Sequence, residues 1–175
     1  LRVSAKSLAK LLWALGYPRG KKTQVELKLP PWLFQLPRWL KRLFLASYFG
    51  AEMSSPKTIN GYNFYMPEIK LSRNKGKEIS GFHFLEDIKR LLNEFGVSST
   101  ISIAETTEDR VIYRLAIHEN PENLITLWSQ IGYEYNRERR ARSLAAVVFL
   151  KLKKTVTHER ELLRKKMRES GEGLR

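Results

Sequence analysis

Apolar residues recur at helical spacing in three stretches of the chain. The stretches are residues 4–15, 37–53 and 80–95, and within each the apolar positions lie three or four residues apart. Gly16 and Gly96 follow the first and the third stretch, at the position where a glycine commonly ends a helix. The pattern therefore predicts three helices, each with one face suited to packing.

Alternation of apolar and polar residues predicts strands between and after these helices. Residues 62–74 alternate as a strand, in which Pro67 allows a break or an edge position. Residues 99–104 and 110–117 alternate as the two strands of a hairpin, and residues 124–131 form a further short helix. Counted from the second helix, the predicted order is helix, strand, strand, helix, strand, strand, helix, which is an α+β arrangement.

The chain becomes strongly basic beyond residue 136, where the pattern predicts one or two long helices. The apolar centre of this region, residues 144–152, is expected to pack on the domain. The outer part, residues 158–168, could track phosphates, form a solvated surface helix or lead into a missing domain. The sequence thus divides into an N-terminal helix with a connector, an α+β domain and a basic helical extension, over residues 1–36, 37–135 and 136–175.

The composition indicates a globular, strongly basic protein. Hydrophobic residues make up 42% and aromatic residues 11% of the 175 positions, which is enough for a core. The formal net charge of +14 points to a polyanion such as nucleic acid, although a basic solvated surface and ribosomal-type packing remain alternatives. The lack of cysteine excludes disulfides and cysteine-ligated zinc, and the three isolated histidines show no metal-ligand spacing.

Hydropathy and composition also indicate the cellular setting. No apolar run is long enough to span a bilayer, so we expect no membrane partner and a cytoplasmic, nucleoid-associated protein that is not secreted. The sequence begins at Leu1 rather than methionine, which predicts a fragment, a processed product or a trimmed chain. Abundant Lys, Arg and Glu without cysteine is also typical of thermophile proteins.

Small side chains at helical spacing mark the end of the second helix, where residues 45–53 read L-A-S-Y-F-G-A-E-M. Ala46 is followed four residues later by Gly50, and Ser47 by Ala51, so the members of each pair share a face. A stripe of small side chains lets another helix approach closely. The run ends in a carboxylate at the negative pole of the helix, which requires compensation, and a divalent cation is one candidate.

This string resembles the LAGLIDADG motif of homing endonucleases. The matching positions are Leu45, Ala46, Ala51 and, at the metal-binding acid, Glu52. Ser47 stands for the third-position glycine of the motif. Two positions depart from the motif, because Gly50 replaces its first aspartate and Met53 replaces its last glycine.

Further segments resemble parts of the same family, in the order in which the family has them. Residues 96–103 resemble its turn from the second helix into the third strand, and residues 128–133 resemble its last-helix ending. Residues 8–22 look like the segment before the second motif in intein-borne archaeal enzymes. The resemblance, over roughly residues 1–135, implies a half-domain with a four-stranded antiparallel saddle sheet and helices on one face, here with extra N- and C-terminal helices.

The resemblance and the alternation together predict a face of the sheet that binds double-stranded DNA in the major groove. One side of the predicted strands carries polar, largely basic side chains, and the loop after residue 72 adds more. Arginine and lysine can donate to guanine edges or phosphates, and hydroxyls can serve either purpose. The predicted DNA-binding residues are Lys70, Ser72, Arg73, Lys75, Thr100, Ser102, Arg110 and Arg114.

The resemblance implies that Glu52 is the catalytic, metal-binding acid of a hydrolase, with Mg²⁺ or Mn²⁺ as cofactor. A second acid must come from another motif helix. Residues 8–16 imitate the motif but have Leu15 at the acid position, so either two chains form a homodimer or a first half-domain is missing. The predicted pairing residues are Leu43, Ala46, Ser47, Gly50 and Ala51.

The function predicted from the sequence is site-specific DNA cleavage of the homing-endonuclease type. A catalytically inactive DNA-binding or regulatory module is the alternative, and Gly50 and Met53 favour it. An RNA-binding maturase is a third possibility, because maturases of group I introns resemble the same family. The chain has neither a terminal cysteine nor a closing His-Asn pair, so it is not by itself a protein-splicing element.

Overall fold

The computed structural model describes residues 6–21 and 23–172. Within them the helices are Lys6–Ala14 (α1), Arg38–Glu52 (α2), Glu78–Glu94 (α3), Pro121–Thr126 (α4) and Arg137–Glu172 (α5). The strands of the same residues are Thr58–Ile59 (β1), Asn63–Phe64 (β2), Glu68–Asn74 (β3), Ser99–Thr106 (β4) and Arg110–Ile117 (β5). The first two residues of the predicted first helix, Ser4 and Ala5, lie outside the described residues.

Prolines and an asparagine set the starts of two helices. Helix α2 begins directly after Pro37, whose missing N–H costs the helix nothing at that position. Asn120 caps α4, since its side-chain oxygen accepts a hydrogen bond from the backbone N–H of Asn123 at 2.9 Å. The predicted helix over residues 124–131 is confirmed, with Asn120 as the cap and Pro121 as the first helical residue that the sequence indicates, and its last turn, Leu127–Ile131, is π-helical.

The main sheet is antiparallel and has β5 in its centre, with β3 and β4 on either side. It has three strands in the part of the chain that the structure describes, where four were predicted, because β1 and β2 pair only with each other as a short ribbon. Pro67 separates β2 from β3, and proline has no N–H to give to a strand ladder. The predicted break at this proline is confirmed.

The core lies between one face of the sheet and helices α2 and α3. Ile69 and Leu71 of β3 and Leu115 of β5 are buried on this face, together with Leu85 and Ile88 of α3. The opposite face of the sheet carries no helix among the described residues, and its side chains are exposed or half-buried except for the buried Ala116. The α+β half-domain predicted from the sequence is thus present, with a sheet open on one side.

Helix α5 is a single helix of 36 residues. Its first half packs on the domain through Ala146, Val147 and Leu150, which are buried. Leu144 and Leu152, expected from the sequence to pack as well, are 55% and 62% exposed because they lie on the other side of the helix. From residue 154 to 171 the described side chains are exposed, so this part of the helix extends beyond the domain.

Helix α1 packs loosely. None of its residues is buried, although Leu8, Leu11 and Leu12 form the apolar side that the sequence predicted. Its C-terminal end is joined to the following connector by a hydrogen bond from the Trp32 indole N–H to the Leu15 carbonyl oxygen at 3.2 Å. A largely apolar cavity of about 560 Å³ separates α1 and the connector from α2.

Candidate active site and nucleic-acid interface

Glu52 is the last residue of α2, and its side chain is exposed at the helix end. Phe49 and Met53 are fully buried and fix this end of the helix in the core. Tyr48 lies one turn before Glu52, and burial, with a smaller contribution from the Glu52 carboxylate, raises the pKa of the Tyr48 hydroxyl far above its ordinary value. Tyr48 therefore remains a neutral phenol beside the acid.

The small residues of α2 divide between two faces, which corrects part of the predicted pairing surface. Ala46 and Gly50 face the interior of their own chain, where the Glu134 backbone N–H donates to the Ala46 carbonyl oxygen at 2.8 Å. A Cβ atom on Gly50 would lie 1.9 Å from the Glu134 carbonyl oxygen. These two positions are covered by the loop after the π-helical turn and are not available to a second helix.

The other three predicted pairing residues lie on the outer face of α2. Leu43 and Ser47 are half-buried and Ala51 is exposed, and the three follow one another at intervals of four residues. The Ser47 hydroxyl donates to the Leu43 carbonyl oxygen at 2.7 Å and so adds no unpaired polar group to this face. Trp39, one turn before Leu43, is 65% exposed. Of the five predicted pairing residues, these three are therefore the ones that a second helix could reach.

Packing explains the two departures from the motif. An aspartate at position 50 would place its side chain against the Glu134 backbone, so glycine is needed there. Met53 is fully buried in the core, and glycine in its place would leave a cavity. The substitutions are thus accounted for by the loop and core of this chain, without reference to Glu52.

The end of α2 is held by the beginning of α5, a contact that sequence reasoning missed. The Arg139 guanidinium donates through Nη1 to the carbonyl oxygens of Phe49 at 3.2 Å and Gly50 at 2.9 Å. The Asn136 side-chain amide donates to the same Gly50 oxygen at 3.0 Å. The only sequence signal was Asn136 as a helix cap, and it gave no indication of a contact with residues so distant in the sequence.

Basic side chains and hydroxyls lie together on the open face of the sheet. Lys70 pairs across the ladder with Arg114, and Arg114 pairs on its other side with Ser102. The Arg114 Nε lies 3.4 Å from the Ser102 Oγ, and Thr100 is exposed two residues before Ser102. Glu68 is on the same face, with its carboxylate 3.2 Å from the Lys70 Nζ and 4.0 Å from the Arg114 Nη1.

The remaining predicted contacts extend this face to one end of the sheet. Ser72 is half-buried on the open side of β3, and Arg110 is exposed at the start of β5. Lys75 is exposed in the turn after β3, where its backbone N–H donates to the Asp109 carbonyl oxygen at 2.9 Å. This hydrogen bond brings Lys75 and Arg110 to the same end of the sheet.

Arg73 is wrongly placed among the DNA-binding residues. It is fully buried, because it alternates with Ile69 and Leu71 on the core side of β3. Its guanidinium donates to the carbonyl oxygens of Val25 and Lys77 and to the Ser80 hydroxyl, the last at 3.2 Å. Burial lowers the pKa of Arg73. The residue joins the connector to the corner between β3 and α3 and cannot reach DNA.

A metal site at Glu52 requires ligands beyond those of one chain. Among the described residues no group of three or more His, Cys, Asp or Glu side chains could hold a metal ion. A carboxylate exposed at a helix end is an oxygen ligand of the kind that Mg²⁺ prefers. The residues present therefore fit one half of a divalent-metal site, and the other half needs a second acid.

The sequence was compared with models of known protein families. A model of the LAGLIDADG-like domain matches residues 39–132, which run from α2 to the end of the π-helical turn. The chain belongs to the LAGLIDADG-like domain family. The family predicted from residues 45–53 is thereby confirmed, and the match includes Glu52 and every strand of the sheet. No solved structure matches the chain significantly.

Similar proteins that carry this LAGLIDADG-like segment are much longer than the chain. The chain is 39% identical, over 91% of its length, to the tRNA-splicing ligase RtcB of Pyrococcus furiosus, and 37% identical, over 92%, to that of Methanopyrus kandleri. It covers 16% of each of these relatives. It is also 30% identical, over 91% of its length, to the DNA-directed RNA polymerase subunit Rpo1N of Methanocaldococcus jannaschii, of which it covers 12%.

No helix among the described residues is both long enough and apolar enough to cross a membrane.

Proposed function

We propose that the chain binds a specific double-stranded DNA site and cleaves it in a divalent-metal-dependent reaction when a second motif helix is present. The position of Glu52 carries the proposal. This acid is exposed at the end of the family's motif helix, next to an outer face on which Ser47 and Ala51 leave room for another helix. Two such helices, from two chains or from a first half-domain, would bring two carboxylates together.

The open face of the sheet is the proposed DNA-binding surface. Lys70 and Arg114 are neighbours across the ladder, and Thr100 and Ser102 continue the polar surface along β4. Lys75 and Arg110 extend this surface at the end of the sheet. Both are exposed in or next to a turn, so we expect them to contact phosphates rather than bases. Helices α2 and α3 pack on one face of the sheet, which leaves the open face for a ligand.

The chemistry assigned to this chain is limited to Glu52 and its surroundings. Glu52, with an acid of the second motif helix, would hold Mg²⁺ or Mn²⁺, which supplies an activated water and stabilises charge on the phosphate. The role of the sheet is to hold the DNA in register relative to Glu52. The Tyr48 hydroxyl does not act as a base in this proposal, since burial keeps its phenol protonated.

We further propose that the chain is part of an archaeal, intein-associated element. The matched segment covers 16% or less of relatives named as a ligase and as an RNA polymerase subunit. A segment shared by proteins with such different names is expected to have a function of its own. Neither tRNA ligation nor transcription is therefore proposed for the chain.

The test combines binding and cleavage on the same DNA. A duplex library is selected for binding, and the selected site is used to measure the dissociation constant and cleavage in Mg²⁺ or Mn²⁺. Wild-type protein is expected to bind and to cut, whereas Glu52→Gln keeps the shape of the side chain, binds as well or better, and does not cut. Cutting by Glu52→Gln would rule out Glu52 as the catalytic acid.

A DNA-binding module without cleavage is the second candidate. It is favoured by the single acid at the end of α2 and by the lack of a complete metal-binding group in the described residues. The same experiment separates the two functions, because firm, site-specific binding without cutting in either metal supports the inactive module. Failure of the wild type to bind duplex DNA at low salt would exclude both.

A further inference from the structure

Helix α2 has no glycine cap of its own at the end that carries Glu52. The chain leaves the helix at Met53 in an extended conformation, with φ of −80° and ψ of 144°, so no local turn covers the last carbonyl groups. The Met53 backbone N–H reaches the Phe49 carbonyl oxygen at 3.1 Å, but the Gly50 oxygen receives its hydrogen bonds from side chains of another element.

We propose that Arg139 is a positioning residue that fixes the end of α2, and with it Glu52, for the metal-dependent reaction. The inference rests on the proposed cleavage function. Arg139 contacts the carbonyl oxygens of Phe49 and Gly50, three and two residues before the acid. Its positive charge also offsets the negative pole of the helix at the place where Glu52 adds a further negative charge.

Asn136 completes the contact between the end of α2 and the start of α5, called the joint from here on, because its side chain forms hydrogen bonds with both helix ends. Its side-chain oxygen accepts the backbone N–H of Arg139 at 3.1 Å, which caps the start of α5. Its side-chain nitrogen donates to the Gly50 carbonyl oxygen at 3.0 Å, which satisfies the end of α2. One amide group therefore fixes the two helices to each other, and the negative end of α2 meets the positive end of α5.

The placement of Arg139 is unfavourable for its own helix. Arginine in the first turn of a helix lies at the positive pole of the dipole, where acidic side chains are preferred. Arg140 in the same turn has its charge matched by Glu134 at 3.5 Å. Arg139 instead donates its side-chain hydrogen bonds to α2, which indicates that the residue stabilises α2 rather than α5.

The joint requires that position 50 has no side chain, which is why Gly50 is needed there. Any side chain at this position would collide with the Glu134 carbonyl oxygen and push the loop that leads to Asn136 and Arg139 away from α2. The loop is also held by Arg42, whose Nε donates to the Ile131 carbonyl oxygen at 3.2 Å and whose Nη2 lies 3.0 Å from the Glu134 carboxylate. The loop that leads to Arg139, in the first turn of α5, is thus fixed in position.

The experiment compares Arg139→Met, Arg139→Lys and the matched control Arg142→Met in the full chain. Arg142 lies less than one turn further along α5, where it forms an ion pair with Glu138 on the surface rather than with α2. At saturating DNA, Arg139→Met is expected to cut about ten- to a hundredfold more slowly, because small displacements of a reacting group have effects of this size. Its DNA dissociation constant is expected to remain within about threefold of wild type, and Arg142→Met is expected to behave as wild type in both measurements.

Rescue and hydrogen exchange separate positioning from general loss of structure. Arg139→Lys keeps the charge and a donor at the end of the side chain, so it should recover part of the cleavage rate that Arg139→Met loses. Amide exchange over residues 50–53 should accelerate in Arg139→Met without acceleration in the sheet.

Two results would overturn the inference. One is Arg139→Met cutting at the wild-type rate, and the other is a parallel loss of cleavage, DNA affinity and thermal stability. If the wild type does not cut at all, the proposed function fails. The exchange measurement then still tests the joint, because unchanged protection of residues 50–53 in Arg139→Met excludes a positioning role.

Discussion

At the scale of single residues, the Glu68 carboxylate lies against the cations of the surface proposed to bind DNA. The Glu68 side chain contacts Lys70 and lies within 4.0 Å of Arg114, so it neutralises part of the charge that phosphates would meet. Any phosphate bound by these two cations must replace Glu68 as their partner. Glu68 is therefore expected to weaken binding to DNA of arbitrary sequence.

Replacing Glu68 with glutamine tests this expectation. Glu68→Gln should tighten binding to random duplex DNA by about three- to tenfold at 0.1 M salt and steepen the salt dependence by about one phosphate contact. Glu86→Gln is the matched control, because Glu86 pairs with His83 on α3, on the covered side of the sheet. Equal effects of the two substitutions would show that only net charge matters.

A second residue-scale prediction concerns the buried Arg73. Arg73→Met removes the donors to Val25, Lys77 and Ser80, and the partly buried Val25 carbonyl oxygen loses this hydrogen bond. The free energy of unfolding should fall by about 1–3 kcal/mol, measured by urea denaturation, while the folded protein binds DNA as before. Loss of DNA affinity in folded Arg73→Met would return this residue to the binding surface.

The sequence could have predicted the environment of Arg73, but not that of Gly50. Arg73 follows Ile69 and Leu71 at intervals of two, so strict alternation would have put it on the core side of β3. Gly50 offered no such signal, because its environment is the Glu134 backbone, which lies far away along the chain. Local periodicity predicts which side of an element a residue occupies, but not what long-range contact covers it.

At the scale of elements, α2 carries small side chains on two faces. The inner face packs against its own chain, and the other face points outward. The sequence places Ala46, Ser47, Gly50 and Ala51 in one stripe, since both pairs are spaced by four. The structure assigns Ala46 and Gly50 to the interior and leaves Ser47 and Ala51 outside. Substitutions on the inner face should therefore affect stability, and substitutions on the outer face should affect association.

The contrast is tested with Gly50→Ala and Ser47→Leu. Gly50→Ala forces a methyl group into the Glu134 carbonyl and should lower the free energy of unfolding by about 3 kcal/mol or more. Ser47→Leu should leave thermal stability near wild type, but prevent association of two motif helices in sedimentation and prevent cleavage. A Ser47→Leu protein that associates and cuts like the wild type would show that helices do not pair on this face.

At the scale of the whole molecule, the net charge of +14 is unevenly distributed. Between residues 158 and 172, in the exposed outer half of α5, five Lys or Arg residues stand beside four Glu residues. The sequence left open whether this segment tracks phosphates, is solvated or leads into a further domain. The near balance of charge argues against a strong contribution to DNA binding, whereas on the open sheet face the four predicted basic residues stand with two acids, Glu68 and Glu105.

A truncation after Thr157 decides between these alternatives for α5. The removed side chains that the structure describes are exposed, so the melting temperature should stay within about 2 °C of the full chain. The dissociation constant for duplex DNA should change by less than about twofold, with the same slope against salt concentration. Lys70→Ala combined with Arg114→Ala should instead flatten this slope by about two, because two phosphate contacts are lost on the sheet. A truncated protein whose slope falls as far as that of the double variant would place α5 on the DNA, and the bound duplex would then extend well beyond the sheet.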